Sequence, residues 1–306
     1  MTTDKIIVIY NPNSGKGRGE KFANRFVSEF KQKGIDLAGV FCSNSLGFIQ
    51  EFCDANAGNV NSYSLAIIIG GDGTLGPWID GMVKNNIDIP IFAFGRGTAN
   101  DFPTYMKTNK SVKRAVKIIC NANIRSIDLL KVNNSDYAIN VAGGGAFTNG
   151  VTKYSKKGKR MFGKLAYKLQ GACEACKMKS QQMKFVVDGK EIYESVFFFL
   201  VLNTANAGSI KRIAPKALPF DGMLDLFAFR KCGIIGRMFA GISIFLGRAH
   251  KSKNLLHIKG KHIEAHVVGD ATKNFIKTDV DGNAAGEYPL DVCVAPEKLR
   301  VVVNKY

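Results

Sequence analysis

Short apolar runs alternate with helix-spaced apolar positions along the first part of the chain, from residue 4 to about residue 126. Phe22, Phe26 and Phe30 recur four residues apart, which is typical of the buried face of a helix, and Gly34 follows where a helix-terminating glycine belongs. Apolar runs typical of buried strands lie at 5–10, 65–70 and 91–95. This alternation predicts an α/β domain with a parallel sheet and helices on both faces.

Strand-like runs dominate after Ile127, at 137–142, 184–203 and 223–230. Asp188-Gly189, inside the second run, is typical of a hairpin turn. The pattern predicts a β-rich sandwich or barrel. We divide the chain into domains at 1–127 and 128–306, with no linker rich in proline or serine between them.

Composition narrows the class of protein. With 306 residues, 46% hydrophobic and 22% charged, the chain is neither disordered nor fibrous. Its formal charge of +18 favours anionic partners. Seven scattered cysteines and a polar amino terminus indicate a reducing cytoplasm. The longest apolar run, 232–246, contains Arg237 and is too short to cross a bilayer. We assign the part around Phe239 and Phe245 to the core, with an acyl chain lying against it as the alternative.

Three glycine-rich segments each follow a predicted strand: 11–17, 70–74 and 95–102. Because the carboxyl ends of parallel strands meet at one edge of a sheet, we expect these segments to converge. Glycines allow close backbone approach, and successive amides attract phosphate. Convergence therefore predicts a nucleotide-phosphate site, with donors and magnesium ligands supplied by Ser14, Thr74, Thr98, Asp72 and Asp101. The alternative is that each glycine merely makes a turn.

One common nucleotide motif does not occur. The chain has no GxxxxGK[ST], so ordinary P-loop NTPases are disfavoured. The spacing GxGxxG occurs once, from Gly71 to Gly76, where it overlaps GGDGT.

The order and spacing of the motifs resemble one family. The matching motifs are Asn11-Pro12 with Ser14-Gly15, Gly70-Gly71-Asp72-Gly73-Thr74, Gly97-Thr98 with Asn100-Asp101-Phe102, Asn140 with Ala142-Gly143-Gly144-Gly145, Leu165-Ala166-Tyr167, Asp221-Gly222 with Leu224, and Asp281-Gly282. They resemble the soluble bacterial lipid kinases with a diacylglycerol kinase catalytic domain, which are related to sphingosine and ceramide kinases. The resemblance covers essentially the whole chain. It implies an α/β nucleotide-binding domain of the NAD kinase and diacylglycerol kinase type, then a β-sandwich-like lipid-substrate domain, with ATP in the cleft between them and the C-terminal tail returning to the first domain.

The resemblance also implies roles for individual residues. Asp72, Asp101 and Asp128 would surround a catalytic Mg²⁺. A second, structural Mg²⁺ would bind the Asp221 carboxylate and the carbonyls of Leu218 and Met223, although a turn aspartate before Gly222 is the alternative. The ATP contacts would come from Asn11, Pro12, Asn13, Ser14, Gly15, Gly70, Gly71, Asp72, Gly73, Thr74, Gly97, Thr98 and Asn100.

The chain departs from the family at two places. After GGDGT the family has an apolar residue, Asn and Glu, whereas this chain has Leu75-Gly76-Pro77, with Pro77 expected in the first turn of a helix after Thr74. The family's catalytic base is the Glu of Asp-Gly-Glu, and here the residue is Asn283, which cannot accept a proton at neutral pH. Glu287 is a candidate substitute, with a solvated loop carboxylate as the alternative.

A basic segment, Lys153–Lys184, contains ten Lys and Arg residues and one acid, Glu174. Its apolar residues fall at helical spacing, so it is a candidate for peripheral contact with an anionic membrane. The alternative is a packed helix with a solvated basic face. Nucleic acid is not expected, because no zinc-finger, RNP or helix-turn-helix signal occurs. A homodimer is left open.

Two apparent metal motifs carry little weight. Cys173 and Cys176 form a CxxC without a second pair, and His262 and His266 lie in a strand-like run without a third ligand.

The pattern as a whole predicts a cytoplasmic, membrane-associated kinase that uses ATP and Mg²⁺ to phosphorylate a lipid hydroxyl. Diacylglycerol, giving phosphatidic acid, is the first candidate acceptor. The alternatives are a protein of the same fold that binds nucleotide and membrane with impaired catalysis, and an NAD kinase, which shares GGDGT.

Overall fold

The computed structural model describes residues 5–43, 47–55, 59–108, 111–121, 123–145, 179–245, 247–248, 252–269, 278–284, 286 and 288–304. The chain forms two compact units. The first contains residues 1–129, 137–139 and 295–306, and the second contains residues 130–136 and 140–294.

The secondary structure follows the predicted runs closely. The strands are β1 (Ile6–Tyr10), β2 (Gly39–Cys42), β3 (Leu65–Gly70), β4 (Ile91–Gly95), β5 (Ile124–Val132), β6 (Asp136–Ala138), β7 (Val141–Gly145), β8 (Gln181–Val187), β9 (Lys190–Leu202), β10 (Leu224–Arg230), β11 (Leu255–Gly260), β12 (His262–Val267), β13 (Thr278–Val280), β14 (Asn283–Ala284) and β15 (Leu290–Val302). The helices are α1 (Ser14–Gly17), α2 (Gly19–Lys31), α3 (Phe48–Ala55), α4 (Asp72–Lys84), α5 (Asp101–Tyr105), α6 (Val112–Cys120) and α7 (Ile234–Phe245), with a 3₁₀ turn at Asn59–Ser62.

The first unit contains a parallel sheet in the order β2-β1-β3-β4. Residue Val301 of β15 adds to its edge by pairing in parallel with Ile91. All residues of β3 and β4 are buried, as expected for central strands covered on both faces. Because all these strands run in the same direction, the loops after β1, β3 and β4 leave from the same edge.

Helices cover both faces of this sheet. Ile6 and Val8 face a core that contains Phe26 and Phe30 of α2 and apolar residues of α6. The alternate residues of β1 face a second core with α3 and α4, in which the Phe52 and Trp78 rings meet edge to face at 5.8 Å. The predicted α/β architecture is confirmed.

The second unit is built on antiparallel strands, in the order β14-β13-β7-β9-β8-β12, with β12 pairing onto Leu290–Cys293 of β15. β10 and β11 extend from β9. Asp188 and Gly189 both have positive φ, 48° and 81°, in the predicted turn between β8 and β9. The predicted β-rich class of this unit is confirmed.

Two expectations about helices are wrong. Helix α4 begins at Asp72 rather than after Thr74, so Pro77 lies beyond the first turn. The side chain of Phe239 is 66% exposed on α7 and is not in the core. The other face of the helix supplies the packing, since Ala240 and Ile244 are the residues buried in the apolar cluster.

Several predicted features lie outside the described residues. These are Leu165-Ala166-Tyr167, Cys173, Cys176, Glu287 and residues 153–178 of the basic segment. Lys184, at the end of that segment, is on β8 and forms an ion pair with Glu191 at 2.5 Å.

Candidate active site

The first loop, after β1, is held against the two neighbouring loops. Its Asn11 amide group donates from Nδ2 to the Thr74 hydroxyl at 3.2 Å, and the Ser14 hydroxyl donates to the Asn11 carbonyl at 2.8 Å. The N–H of Gly15, at φ 60°, donates to the Arg96 carbonyl at 2.6 Å. Asn13 in the same loop donates from its N–H to Asn11 Oδ1 at 2.9 Å. The first loop therefore contacts both others, as the sequence predicts.

The second and third loops touch through glycines. A Cβ built on Gly71 would lie 2.8 Å from the Cα of Gly97, a distance at which the backbone must move. The Arg96 N–H also donates to the Gly70 carbonyl at 2.6 Å. Thr74 is buried in the first turn of α4, and a Cβ on Gly70 would collide with it. Only glycine at positions 71 and 97 allows the second and third loops to approach this closely.

Asp72 ties the third loop to the first turn of α4. Its Oδ2 accepts the Asn100 N–H at 2.7 Å, and its Oδ1 accepts the Asp101 N–H at 3.0 Å. Asn100 has a left-handed backbone, φ 53°, and its side chain bonds both the N–H and the carbonyl of Gly97 at 2.5 and 2.9 Å. These bonds shape the turn containing Thr98, which is exposed.

Burial raises the pKa of the Asp72 carboxyl, and the N–H groups of Asn100 and Asp101 oppose part of that rise. The ionised Asp72 carboxylate is nevertheless stabilised, because Asp72 lies in the first turn of α4, at the positive end of the helix dipole. A half-buried carboxylate at converging strand ends is suited to magnesium.

Arg96, in the third loop, packs against two phenylalanine rings. The Arg96 guanidinium lies 4.4 Å from the Phe22 ring centroid and 3.8 Å from that of Phe94, within cation–π range. Burial, followed by the charge of Arg18, lowers the pKa of Arg96. The sequence analysis assigns no role to Arg96. Its position between two glycines, Gly95 and Gly97, is the signal that the sequence offers, and a Cβ at either position would collide with a neighbouring residue.

The three predicted catalytic aspartates all lie in the first unit. The backbone N–H of Asp101 donates to the Asp72 carboxylate, and Asp101 is buried. Asp128 is buried on β5, where the Lys298 ammonium forms an ion pair with it. The sequence offered no signal for this lysine, which is 170 residues away. The grouping of Asp128 with the other two around a metal stays a prediction.

The acidic residues fit catalytic magnesium. Within the described ranges, no three His, Cys, Asp or Glu side chains are close enough to hold a metal ion by themselves. Magnesium in kinase sites takes one or two carboxylates and completes its shell with phosphate and water oxygens. Asp72 and Asp101 are the pair that would supply them.

In the second unit, Asp281 and Gly282 form the tip of the β13–β14 hairpin, with φ of 48° and 88°. The Asp281 carboxylate is buried and accepts the N–H groups of Asn140 and Val141 at 3.1 and 2.9 Å. This carboxylate therefore orders the hairpin. The next residue, Asn283, is exposed on β14 opposite Val280.

The aspartate of the predicted structural-magnesium loop is paired with a lysine of β11. Asp221 accepts the Met223 N–H at 3.1 Å and the Lys259 ammonium at 2.6 Å, while the Leu218 side chain is 40% exposed. Burial lowers the pKa of Lys259, but its bond to Asp221 and the charge of Asp225 outweigh burial and leave it raised. Because the Lys259 ammonium already neutralises the Asp221 carboxylate, magnesium here would have to displace or share with the ammonium. This second metal site stays a prediction.

The two histidines of the apparent metal motif each form a hydrogen bond with a carboxylate. His262 bonds Asp291 at 2.8 Å and His266 bonds Glu264 at 2.9 Å.

Replacing Gly71 by Ala is expected to lower the free energy of unfolding by about 1–3 kcal/mol, because the new methyl group overlaps the Gly97 backbone. The matched variant is Gly73→Ala, two residues away on α4. A Cβ there meets nothing within 4 Å, so helix propensity should leave that variant as stable as the wild type or up to about 1 kcal/mol more stable. Urea unfolding of both variants is the measurement. Equal stability would show that the two loops are not in contact.

A parallel α/β unit with three converging glycine-rich loops, together with an antiparallel β unit, is the architecture that the motif resemblance implies for a lipid-kinase family. Comparison with known proteins places the chain in that family. Residues 5–132 match the diacylglycerol kinase catalytic domain, and residues 139–303 match the YegS C-terminal NAD kinase beta sandwich-like domain. The chain belongs to the diacylglycerol kinase family.

Individual relatives match along nearly their full length. The diacylglycerol kinase of Bacillus subtilis is 25% identical over 301 residues, covering 97% of this chain and 96% of the relative. That of Staphylococcus carnosus is 24% identical over 298 residues, covering 97% and 94%. The crystal structure of a diacylglycerol kinase from Bacillus anthracis has a TM-score of 0.73 at 18% identity, covering 98% of this chain and 97% of that one. The last likeness supports the fold.

Proposed function

We propose that this chain transfers the γ-phosphoryl group of ATP to a lipid hydroxyl, with diacylglycerol as the first candidate acceptor and phosphatidic acid as its product. The observation that carries this proposal is the bridge from Asp72 to the N–H groups of Asn100 and Asp101, at 2.7 and 3.0 Å. This bridge fixes one carboxylate at the edge where all three glycine-rich loops meet. Family membership supports the same class of reaction.

The residues of the first unit would act by positioning. Asn11, Ser14 and Thr74 place short polar groups at the loop junction, and the glycines let backbone amides approach phosphate oxygens. Asp72 and Asp101 would hold Mg²⁺, which when bound neutralises charge on the phosphates. Positioning and charge stabilisation account for most of the catalysis of phosphoryl transfer.

A separate group is needed to accept the proton of the lipid hydroxyl. Asn283 can orient a hydroxyl by hydrogen bonding, but it cannot take the proton. The exposed Asn283 at this position favours a second candidate function, a nucleotide- and membrane-binding protein with impaired catalysis. We keep peripheral membrane contact by the basic segment Lys153–Lys184 as part of both candidates. No helix among the described residues is long and apolar enough to cross a membrane.

Incubation of the full chain with [γ-³²P]ATP, Mg²⁺ and diacylglycerol in mixed micelles is expected to give labelled phosphatidic acid. A total lipid extract and NAD serve as parallel acceptors. A labelled lipid other than phosphatidic acid would identify a different acceptor. Labelled NADP would show that the chain is an NAD kinase instead. ATP-dependent thermal stabilisation without a labelled product from any acceptor would favour the binding protein.

A further inference from the structure

Helix α7 is attached to the second unit by one face. Ala240 and Ile244 are buried in a cluster with apolar residues of β9, β10 and the preceding loop. The Arg237 guanidinium lies 4.3 Å from the Phe197 ring centroid and donates from Nε to the Cys232 carbonyl at 3.2 Å. The helix therefore has a defined inner face.

Its outer face is apolar and exposed. Five side chains form one stripe at helical spacing, with exposed fractions of 52–72%: Ile234, Ile235, Met238, Phe239 and Ile242. They make up half of the ten exposed large apolar side chains among the residues that the structure describes. A contiguous apolar stripe on a surface helix marks an interaction site rather than ordinary surface.

The charge around α7 identifies its partner. Residues 226–263 contain no Asp or Glu and eight Lys or Arg residues, of which Arg230 and Lys259 pair with acids outside this range and Arg237 faces inward. Exposed cations lie next to both ends of the helix, with Lys231 and Lys253 beside its amino-terminal end and Arg248 beside its carboxyl-terminal end. An apolar stripe between cationic ends matches the boundary between acyl chains and anionic headgroups, where apolar side chains enter the hydrocarbon and lysine and arginine meet phosphate.

We propose that the outer face of α7 inserts into the surface of an anionic lipid bilayer, with the helix axis in the membrane plane. At 1.5 Å per residue its 12 residues extend about 18 Å, less than the roughly 30 Å of a hydrocarbon core, so the helix lies at the interface. This proposal deepens the proposed function, because it names the surface through which the chain would reach a water-insoluble acceptor. The proposed surface belongs to a different part of the sequence from the basic segment Lys153–Lys184.

Vesicle flotation tests the proposal with no ATP or Mg²⁺ present, so the result is independent of any turnover. The wild-type chain is expected to bind vesicles containing phosphatidylglycerol more strongly than vesicles of phosphatidylcholine alone. The double variant Ile235→Ser/Phe239→Ser is expected to lose at least about tenfold in partition coefficient, because two large apolar side chains no longer enter the bilayer. Tyr193→Ser, which removes an apolar side chain that is 55% exposed on β9, is the matched control and should bind like the wild type.

A gain-of-signal variant covers the case in which the double variant folds poorly. The chain has one tryptophan, Trp78, which is 3% exposed, so its emission should not respond to vesicles. Phe239→Trp is expected to give a blue-shifted emission on anionic vesicles, and brominated lipids should quench that emission.

Three outcomes would overturn the proposal. The first is unchanged vesicle binding by a folded double variant. The second is an emission of Phe239→Trp that does not respond to anionic vesicles. The third is a wild-type chain that ignores vesicles but sediments as a dimer which the double variant breaks, since α7 would then be a contact between two copies of the chain.

Discussion

Replacing Asn283 by Glu is expected to raise the rate of lipid phosphorylation by about 10²- to 10⁴-fold, the usual contribution of a general base. In the family that the chain resembles, a glutamate at this position accepts the proton of the attacking hydroxyl. The position tolerates the change, because Asn283 is exposed on β14 and the glutamate would not be buried. The turn before it, held by the Asp281 carboxylate, is unaffected. The rate is measured with [γ-³²P]ATP and micellar diacylglycerol at saturating Mg²⁺.

Asn283→Gln is the matched control. Glutamine has the length and shape of glutamate but an amide that cannot take up a proton, so its rate should stay close to that of the wild type. A similar gain in both variants would mean that side-chain length matters and that the base is elsewhere. If neither variant gains activity while both bind ATP, the chain performs other chemistry or none.

The Asp72→Asn variant is expected to lose at least about 100-fold in phosphoryl transfer. The substitution removes the charge that would hold magnesium, and it places an amide NH₂ against one of the two N–H donors of Asn100 and Asp101. Both changes act on positioning and charge, which are the main sources of catalysis in this reaction. The measurement is turnover, with circular dichroism and thermal unfolding to show that the variant is folded.

Asp36→Asn is the control for this substitution, since Asp36 is an exposed loop aspartate in the same unit. It should retain wild-type turnover. An Asp72→Asn enzyme with wild-type turnover would remove Asp72 from the magnesium site.

The raised pKa of Asp72 also sets the direction of a pH effect. The carboxyl must be ionised to bind a metal, so activity should fall as the pH drops through that raised pKa, at a higher pH than for a carboxyl with the ordinary value of 3.8. Folding responds in the opposite sense. The contribution of this group to stability is present below 3.8 and is lost as the pH rises through the raised value.

Much of the fold could be predicted from local pattern. The apolar runs at 65–70 and 91–95 are the buried central strands β3 and β4, and the phenylalanine stripe is the buried face of α2. The Asp188-Gly189 hairpin followed from the backbone preferences of two residues. These features depend on neighbours in sequence, so periodicity and turn chemistry are sufficient to find them.

The partners of charged and exposed groups could not be predicted in this way. The Asp128–Lys298 and Asp221–Lys259 ion pairs join residues 170 and 38 positions apart, and no local pattern specifies such pairs. The apolar run around Phe239 predicts a core position but Phe239 is exposed, because an apolar run looks alike whether it faces protein or solvent.

The chain's own order of residues determined its strands, helices and glycine-rich turns, and the direction of its parallel strands required three of those turns to share an edge. Only the tertiary structure decided that Asp72 binds the third loop, that lysines accompany two of the predicted metal-site carboxylates, and that one side of α7 is left uncovered. The physical reason is the range of the forces involved. Backbone preference and apolar periodicity act over a few residues, whereas the environment of a charge or of a helix face depends on whatever distant segment packs beside it.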